Sequence, residues 1–198
     1  MLSSCVSSER LAYFILQNAP IKGDLSPLKL QKLLFYTYGA ALAFDYEDVV
    51  GVVEFEAWKH GPVNPVSYEL FKGYKGNPIE QSAKWKNGGV FAESVPRELQ
   101  DALYIYGLVT PWGLREETHL EQPWIDVYKN GLGEGERLCQ NALKAHFQSK
   151  FCGNRVHAPQ NLVGAGSFRI DGIPLVPYPS LRALADAMRS AIRFNANI

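Results

Sequence analysis

The stretch SPLKLQKLLFYTYGAALAF, residues 26–44, decides the fold class of this chain. It opens with Ser26 and Pro27, a pair typical of a helix start, because the serine hydroxyl accepts a bond from a free backbone amide and proline lacks the amide that would need one. Core-type side chains then recur at steps of three and four residues, namely Leu30, Leu33, Leu34, Thr37, Tyr38 and Ala41. This period predicts a long helix with one face in the core, ending near Phe44.

The other side of this helix carries Lys29, Lys32 and Tyr36. These residues stand at positions i, i+3 and i+7 and therefore share one face. Two ammonium groups one turn apart repel each other, so the pattern predicts a solvated face. An acidic partner would make the pair favourable, and the tyrosine would supply an aromatic anchor. A plain solvated surface is the alternative interpretation.

Helix starts recur along the chain. Capping residues or prolines precede helical periods at Ser7 or Ser8, Pro65, Pro96, Thr110 with Pro111, Gln122 with Pro123, Glu136 and Ser180. The first helix should be short and end at Pro20, and the helix from Glu136 should run to Phe151. Residues 50–58 instead alternate apolar and polar side chains, which predicts a short half-buried strand. The chain is therefore predicted to be mainly α, a compact helical domain with a small β element.

Glycine and proline mark the segments between these elements. The stretch GLGEG, residues 131–135, has no lysine and serine after it and no strand before it, so it reads as a linker and not as a phosphate-binding loop. The loop that follows residue 74 could hold a small hairpin. We expect one domain over residues 1–152 and a C-terminal extension over residues 153–198.

The extension combines a loop, a possible hairpin around Asp171 and Gly172, and a helix that begins after Ser180. That helix has an apolar stripe formed by Leu181, Leu184, Ala185, Met188 and Ile192. The stripe either packs back onto the domain or enters a groove of a partner. Packing back is favoured, because a free apolar stripe promotes aggregation.

Composition excludes several classes of protein. The 198 residues include 20 basic and 20 acidic side chains and are 46% hydrophobic, which fits neither a disordered chain nor a general nucleic-acid binder. Three widely spaced cysteines, Cys5, Cys139 and Cys152, predict reduced thiols. The N-terminus lacks the features of a signal peptide or a membrane span. We expect a cytoplasmic protein.

Residues able to perform catalysis or bind metal do not form a recognised pattern. The four histidines are not spaced as metal ligands, and no CxxC or HExxH motif occurs, so no metal or other cofactor is expected. Glu116 and Glu117 are expected to be solvated on a short helix. His119 and Glu121 remain open as a catalytic pair, since a glutamate can orient an imidazole.

Three blocks of sequence occur in a fixed order. They are SPLKLQKLLFYTYG at residues 26–39, FEAWKHGPVNPVSYELFKGY at residues 55–74 and THLEQPW at residues 118–124. Together they resemble the signature of the Panacea-domain family, over about residues 9–151. The matching residues are Leu30, Lys32, Leu33, Leu34, Trp58, Gly61, Pro62, His119, Glu121, Pro123 and Trp124. His60 departs from the family's pattern, in which an aromatic is common.

This resemblance implies a mainly helical domain from bacteria or phages that is commonly encoded beside a toxin and neutralises it by direct contact. A protease adaptor that delivers a toxin or other cargo is the alternative, and a DNA-binding regulator or an enzyme ranks below both. We expect a cognate toxin as partner, a protease or chaperone as a further candidate, and neither membrane nor nucleic acid. Partner contacts are expected at Lys29, Lys32, Tyr36, His60, His119 and Glu121. The remaining signature residues, including Trp58 and Trp124, are expected to be structural.

Overall fold

The computed structural model describes residues 4–80, 95–162, 173 and 176–195. The helices in that part of the chain are α1 (Ser4–Asn18), α2 (Pro27–Ala43), α3 (Glu47–Val50), α4 (Pro65–Phe71), α5 (Arg97–Gly107), α6 (Pro111–Thr118), α7 (Gln122–Tyr128), α8 (Gln140–Phe151) and α9 (Leu181–Asn195). Strands β1 (Glu56–Trp58) and β2 (Gly61–Val63) form an antiparallel hairpin in which Trp58 pairs with Gly61. The predicted fold class, mainly helical with a small β element, is confirmed.

Helix α2 is the central element of the fold. It packs against α1, α5, α6 and α8, and it also contacts β2. Every residue of α2 except Leu28 is buried. A helix surrounded in this way has no solvated face, which explains why its apolar residues extend around most of its circumference.

The predicted solvated face of α2 is therefore wrong. Lys29, Lys32 and Tyr36 are each 0% exposed. Their polar ends find partners inside the protein: Lys29 forms an ion pair with Asp24 at 2.7 Å, and Lys32 donates to the carbonyl oxygen of Pro62. Long side chains can carry a polar end away from a crowded helix surface to a distant acceptor.

Three of the predicted helix starts are confirmed by side-chain capping hydrogen bonds. The hydroxyls of Ser26, Thr110 and Ser180 accept from backbone amides three residues later, at 3.5, 3.1 and 3.1 Å. Helix α1 already includes residues before Ser7 and Ser8, so these two serines lie inside it and are buried. The start at Gln122 and Pro123 is confirmed, since α7 begins at Gln122 with proline in its first turn, although the preceding residue, Glu121, makes no side-chain capping bond.

The predicted strand over residues 50–58 is shorter than expected, because residues 47–50 form α3 and only residues 56–58 pair with β2. The alternation itself is real: Val53, Phe55 and Ala57 are each 0% exposed. The glycine-rich stretch 131–135 forms turns between helical elements, and its last residue is held in place, since the amide of Gly135 donates to the carbonyl of Ala57 at 2.8 Å. Backbone hydrogen bonds thus join residues 135–138 to Phe55 and Ala57. Helix α8 begins at Gln140 and not at Glu136.

Close packing of α2 and α8 depends on Gly39. A Cβ atom at this position would lie 2.6 Å from the ring of Phe147, so only glycine lets the two helices approach this far. The ring of Phe147 in turn lies 5.1 Å from that of Phe35 and 5.3 Å from that of Phe151. These rings form the centre of the core.

The C-terminal helix α9 packs back onto α5, as the apolar stripe predicts. Leu181, Leu184, Ala185 and Met188 are buried, and two arginines of α9 hold the buried carboxylate of Asp101 at 2.7 and 2.8 Å. The hairpin predicted around Asp171 and Gly172 lies outside the described residues, as does most of the loop after residue 80. The division at residue 152 stays a prediction.

Candidate partner-binding site

The three sequence blocks meet at the turn between β1 and β2. Lys32, from the first block, donates its Nζ proton to the carbonyl oxygen of Pro62 in the second block at 2.9 Å. Trp124, from the third block, donates its indole N–H to the carbonyl oxygen of Trp58 at 3.1 Å. Direct hydrogen bonds thus join the first block to the second and the second to the third. The sequence signature corresponds to one contiguous site.

Gly61 is required at this junction for two reasons. Its φ is +91°, a region that side chains with a Cβ rarely adopt. A Cβ there would also lie 2.8 Å from Nζ of Lys32 and collide with the hydroxyl of Thr118. The hairpin can therefore lie this close to α2 and α6 only with glycine at position 61.

Replacing Gly61 with alanine should lower the free energy of unfolding by about 2 to 4 kcal/mol, because backbone strain and a steric clash add together. Chemical denaturation measures the loss. Gly73→Ala is the matched control, since a Cβ at Gly73 meets nothing within 4 Å, and it should change stability by less than about 0.5 kcal/mol. Equal stability of the two variants would refute this account of Gly61.

Lys32 is a buried cation among other cations. Burial lowers the pKa of Lys32 well below its usual range, and the nearby positive charge of Arg115 lowers it further. Among the described residues its ammonium has one hydrogen-bond acceptor, the Pro62 carbonyl, and no carboxylate partner. An ammonium group has three donors, so part of its capacity is unused.

An aromatic and cationic rim lies next to this lysine. Arg115 donates from Nε to Nδ1 of His60 at 3.2 Å, so His60 is an acceptor at Nδ1. Burial, together with the charge of Arg115, lowers the pKa of His60. The indole of Trp112 packs edge-on against His60 with ring centroids 6.2 Å apart, and the guanidinium of Arg115 lies 6.0 Å from the Trp112 ring. We call His60, Trp112 and Arg115 the rim.

A cavity of about 270 Å³ opens beside the hairpin, and we call it the hairpin pocket. Trp58 and His60 line it from the hairpin side and Lys32 from α2. Tyr68 closes another side, with its ring 4.9 Å from that of Trp58. The pocket is therefore aromatic in its walls and shares His60 with the rim.

His119 lies behind the rim, against the core. Its imidazole stacks on the indole of Trp124 with centroids 4.3 Å apart, and its Nε2 has no hydrogen-bond partner among the described residues. Burial and the charges of Arg115 and Lys32 lower the pKa of His119 to about 4. The imidazole is therefore neutral near neutral pH.

Glu121 belongs to a separate internal cluster. Its carboxylate, 3% exposed, accepts from the Tyr36 hydroxyl at 2.8 Å, contacts Nε2 of His146 at 2.5 Å and accepts from Lys150 at 2.9 Å. The Tyr36 ring stacks on Tyr106 at 3.7 Å. Glu121 thus ties α7 to α2 and α8, and among the described residues no bond joins it to His119.

The structure therefore divides the residues for which partner contacts were expected. His60 is exposed and His119 is half-buried behind the rim, whereas Lys32 is 0% exposed but borders the hairpin pocket. Lys29, Tyr36 and Glu121 are buried and bonded elsewhere, so they offer no exposed side chain to a partner. Two structural expectations also change: Trp58 is half-buried and lines the pocket, and Glu117, expected to be solvated, is 4% exposed and accepts from Asn161.

Sequence reasoning missed Trp112 and Arg115. Trp112 is 62% exposed, although tryptophan is normally among the more buried residues. A signal was present, because Thr110 and Pro111 fix the start of α6 and place Trp112 in its first turn, one turn before Arg115. Nothing in that spacing alone shows that the first turn faces solvent.

The described residues contain no group of three or more His, Cys, Asp or Glu side chains that could hold a metal ion. None of the helices in that part of the chain combines the length and apolar composition that a membrane span requires. The aromatic rings and hydrogen-bonding groups of the rim are suited to contact with another protein.

Comparison with known proteins gives two matches. The family described as antitoxin SocA-like, Panacea domain, matches residues 30–125, which include the three blocks except for a few residues at the start of the first. The chain is also 33% identical over 138 residues to antitoxin SocA of Caulobacter vibrioides (strain NA1000 / CB15N), an alignment covering 63% of this chain and 72% of that protein. No solved structure matches the chain.

Proposed function

Because this chain belongs to the family of SocA-like antitoxins with a Panacea domain, we propose that it neutralises a cognate toxin by direct binding. The proposed contact surface is the rim together with the hairpin pocket. Neutralisation of this kind requires occlusion of the toxin and no chemical step, so the protein would act without a cofactor and in the cytoplasm, where its toxin is made.

The exposure of Trp112 carries this proposal. A tryptophan that is 62% exposed and supported by His60 and Arg115 has the features of an interface hot spot. Tryptophan and arginine are the residue types most enriched at such positions, because a large ring buries much area and loses little conformational freedom. The adjoining hairpin pocket gives a partner side chain a place to insert.

The rival functions have less support. An adaptor needs a second binding surface, and the C-terminal helix α9, which would be a candidate for it, has its apolar stripe packed on α5. The catalytic pair of His119 and Glu121 is not formed, since Glu121 contacts His146 while His119 stacks on Trp124. A regulator that inserts α2 into DNA would have to expose a helix that is buried on nearly every side.

Co-expression tests the proposal. The reading frame beside this chain's gene is expressed from an inducible promoter, alone or with this protein, and growth is recorded. We expect that the neighbouring product arrests growth, that this protein restores it, and that the two co-purify. Arrest without rescue or co-purification would refute direct neutralisation by this chain.

Trp112→Ala should abolish rescue and weaken binding by at least 2 kcal/mol, about thirtyfold in Kd, because an interface anchor is removed. Its free energy of unfolding should match that of the parent within about 0.5 kcal/mol, since the side chain is mostly in solvent. Leu132→Ala is the control, as Leu132 is 88% exposed and lies outside the rim and the hairpin pocket. Wild-type binding by Trp112→Ala would place the interface elsewhere.

A further inference from the structure

Two buried lysines of α2 differ in how their charge is compensated. Lys29 and Lys32 are both 0% exposed and lie one turn apart. Both carboxylate oxygens of Asp24 lie within 2.8 Å of Nζ of Lys29. Among the residues that the structure describes, Lys32 has a single hydrogen-bond acceptor, the carbonyl oxygen of Pro62, which is neutral. A buried cation without an opposite charge is costly, so its presence needs an explanation beyond packing.

The charges around Lys32 increase this imbalance. Lys59 and Lys75 also line the hairpin pocket, whereas Glu134 is the acid in that lining, and one of its oxygens accepts from the Lys59 amide at 3.1 Å. Arg115 on α6 adds positive charge next to Lys32. The whole chain carries equal numbers of basic and acidic residues, so the excess is local to this pocket.

We propose that the hairpin pocket receives an acidic side chain of the toxin, and that Lys32 beneath it supplies the compensating charge. This inference rests on the proposed function. Lys32 has no exposed surface of its own, so it acts at short range through the pocket, while Lys59 and Lys75 contact the incoming carboxylate directly. The low local dielectric makes such a pairing strong and selective for an acid over an amide.

A proton linkage follows from the same arrangement. The titratable groups around Lys32 are Arg115 of α6, which is paired with Glu116, His119 behind Arg115, and Lys59, His60, Lys75 and Glu134 around the hairpin pocket. Burial of Lys32 and, after it, the charge of Arg115 disfavour the protonated form of the lysine, and an arriving carboxylate opposes that effect. Binding should therefore draw a proton from the buffer onto Lys32. The two histidines are neutral at about pH 9, so uptake there reports on the lysine.

Binding measurements on the neighbouring toxin test the proposal. Lys32→Met removes the charge and keeps a similar volume, and we expect its Kd to rise about thirtyfold or more without loss of thermal stability. Lys29→Met is the matched control: it leaves Asp24 without its partner and should lower stability but spare binding. Lys59→Gln, an exposed change at the pocket, should weaken binding even if Lys32→Met fails to fold.

Calorimetry in two buffers of different ionisation enthalpy then counts protons. The parent should take up a fraction of a proton to about one proton at about pH 9, and Lys32→Met should take up none. The surface acids of the toxin are then changed one at a time to amides. For one of these acids the change should raise the Kd as much as Lys32→Met does, and combining the two changes should raise the Kd no further.

The outcomes separate the two proposals. If the parent does not bind the toxin, the proposed function fails. If the parent binds and Lys32→Met binds equally, with the same proton uptake, the toxin is bound but the pocket does not receive its carboxylate. If Lys59→Gln weakens binding while no toxin acid couples to Lys32, the basic pocket is a general attractive surface, which also overturns the specific pairing.

Discussion

Replacing Glu121 with leucine is expected to lower the free energy of unfolding by about 3 to 5 kcal/mol, the usual loss when one partner of a buried charge network is removed. The carboxylate is 3% exposed and bonded to Tyr36, His146 and Lys150. Its removal leaves the Tyr36 hydroxyl without its acceptor inside the core. Glu116→Leu, on the exposed side of α6, should change stability by less than about 1 kcal/mol.

The pH dependence of stability provides an independent check on Glu121. Burial alone would raise the pKa of this carboxylate, but the bond to His146 and the charge of Lys150 outweigh burial and hold the pKa below its ordinary value. A depressed acid pKa contributes stability above the unfolded pKa, about 4.3, and this contribution is lost as the pH falls through the folded pKa. The difference in the free energy of unfolding between the parent and Glu121→Leu should therefore become smaller below about pH 4. A gap that stays constant with pH would show that lost packing, and not charge, causes the destabilisation.

Local signals in the sequence predicted the helices well. The pairs Ser26–Pro27 and Thr110–Pro111 mark true helix starts, because a cap and a proline depend only on backbone groups within one turn. The same logic failed at Ser7 and Ser8, which lie inside α1 and are buried. A cap residue thus marks a possible start, and packing decides whether the helix begins there.

The surroundings of α2 could not be predicted from residues that are close to it in the sequence. The period of its apolar residues gives a core face, but the burial of Lys29 and Lys32 depends on Asp24 and on the hairpin that covers the helix from residues 61–63. The same limitation applies to Glu121. Its histidine is His146, 25 positions further on, and not His119, which is two positions away. Neighbours in sequence around a turn point apart, whereas helices that pack side by side bring distant residues together.

Three of the four tryptophans, Trp58, Trp112 and Trp124, show most clearly what local sequence cannot predict, since one residue type occupies three environments near one site. Trp124 is 6% exposed, Trp58 is half-buried at the hairpin pocket, and Trp112 is 62% exposed. All three stand close to a proline or to a proline-containing turn, so their sequence contexts do not separate them. Only the packing of α6 and α7 against the hairpin does so.

Trp124→Ala should consequently cost about 3 to 5 kcal/mol of stability, whereas Trp112→Ala should cost almost none. The Trp124 ring stacks on His119 at 4.3 Å and on Tyr128 at 4.5 Å, and its N–H holds the Trp58 carbonyl at 3.1 Å. Thermal and chemical denaturation of the two alanine variants, side by side, measures the contrast. Similar losses for both would contradict the assignment of one to the core and the other to the interface.

Trp124→Phe separates the two contributions of this side chain. Phenylalanine retains an aromatic ring beside His119 but cannot donate to Trp58, so roughly 1 to 3 kcal/mol should be lost, the cost of an unsatisfied carbonyl together with the missing ring volume. Because that bond ties α7 to the β1–β2 hairpin, its loss should also weaken the proposed binding of the toxin, even where the protein stays folded. A variant that loses stability but binds with the parent's affinity would show that Trp124 supports the core and does not position the hairpin pocket.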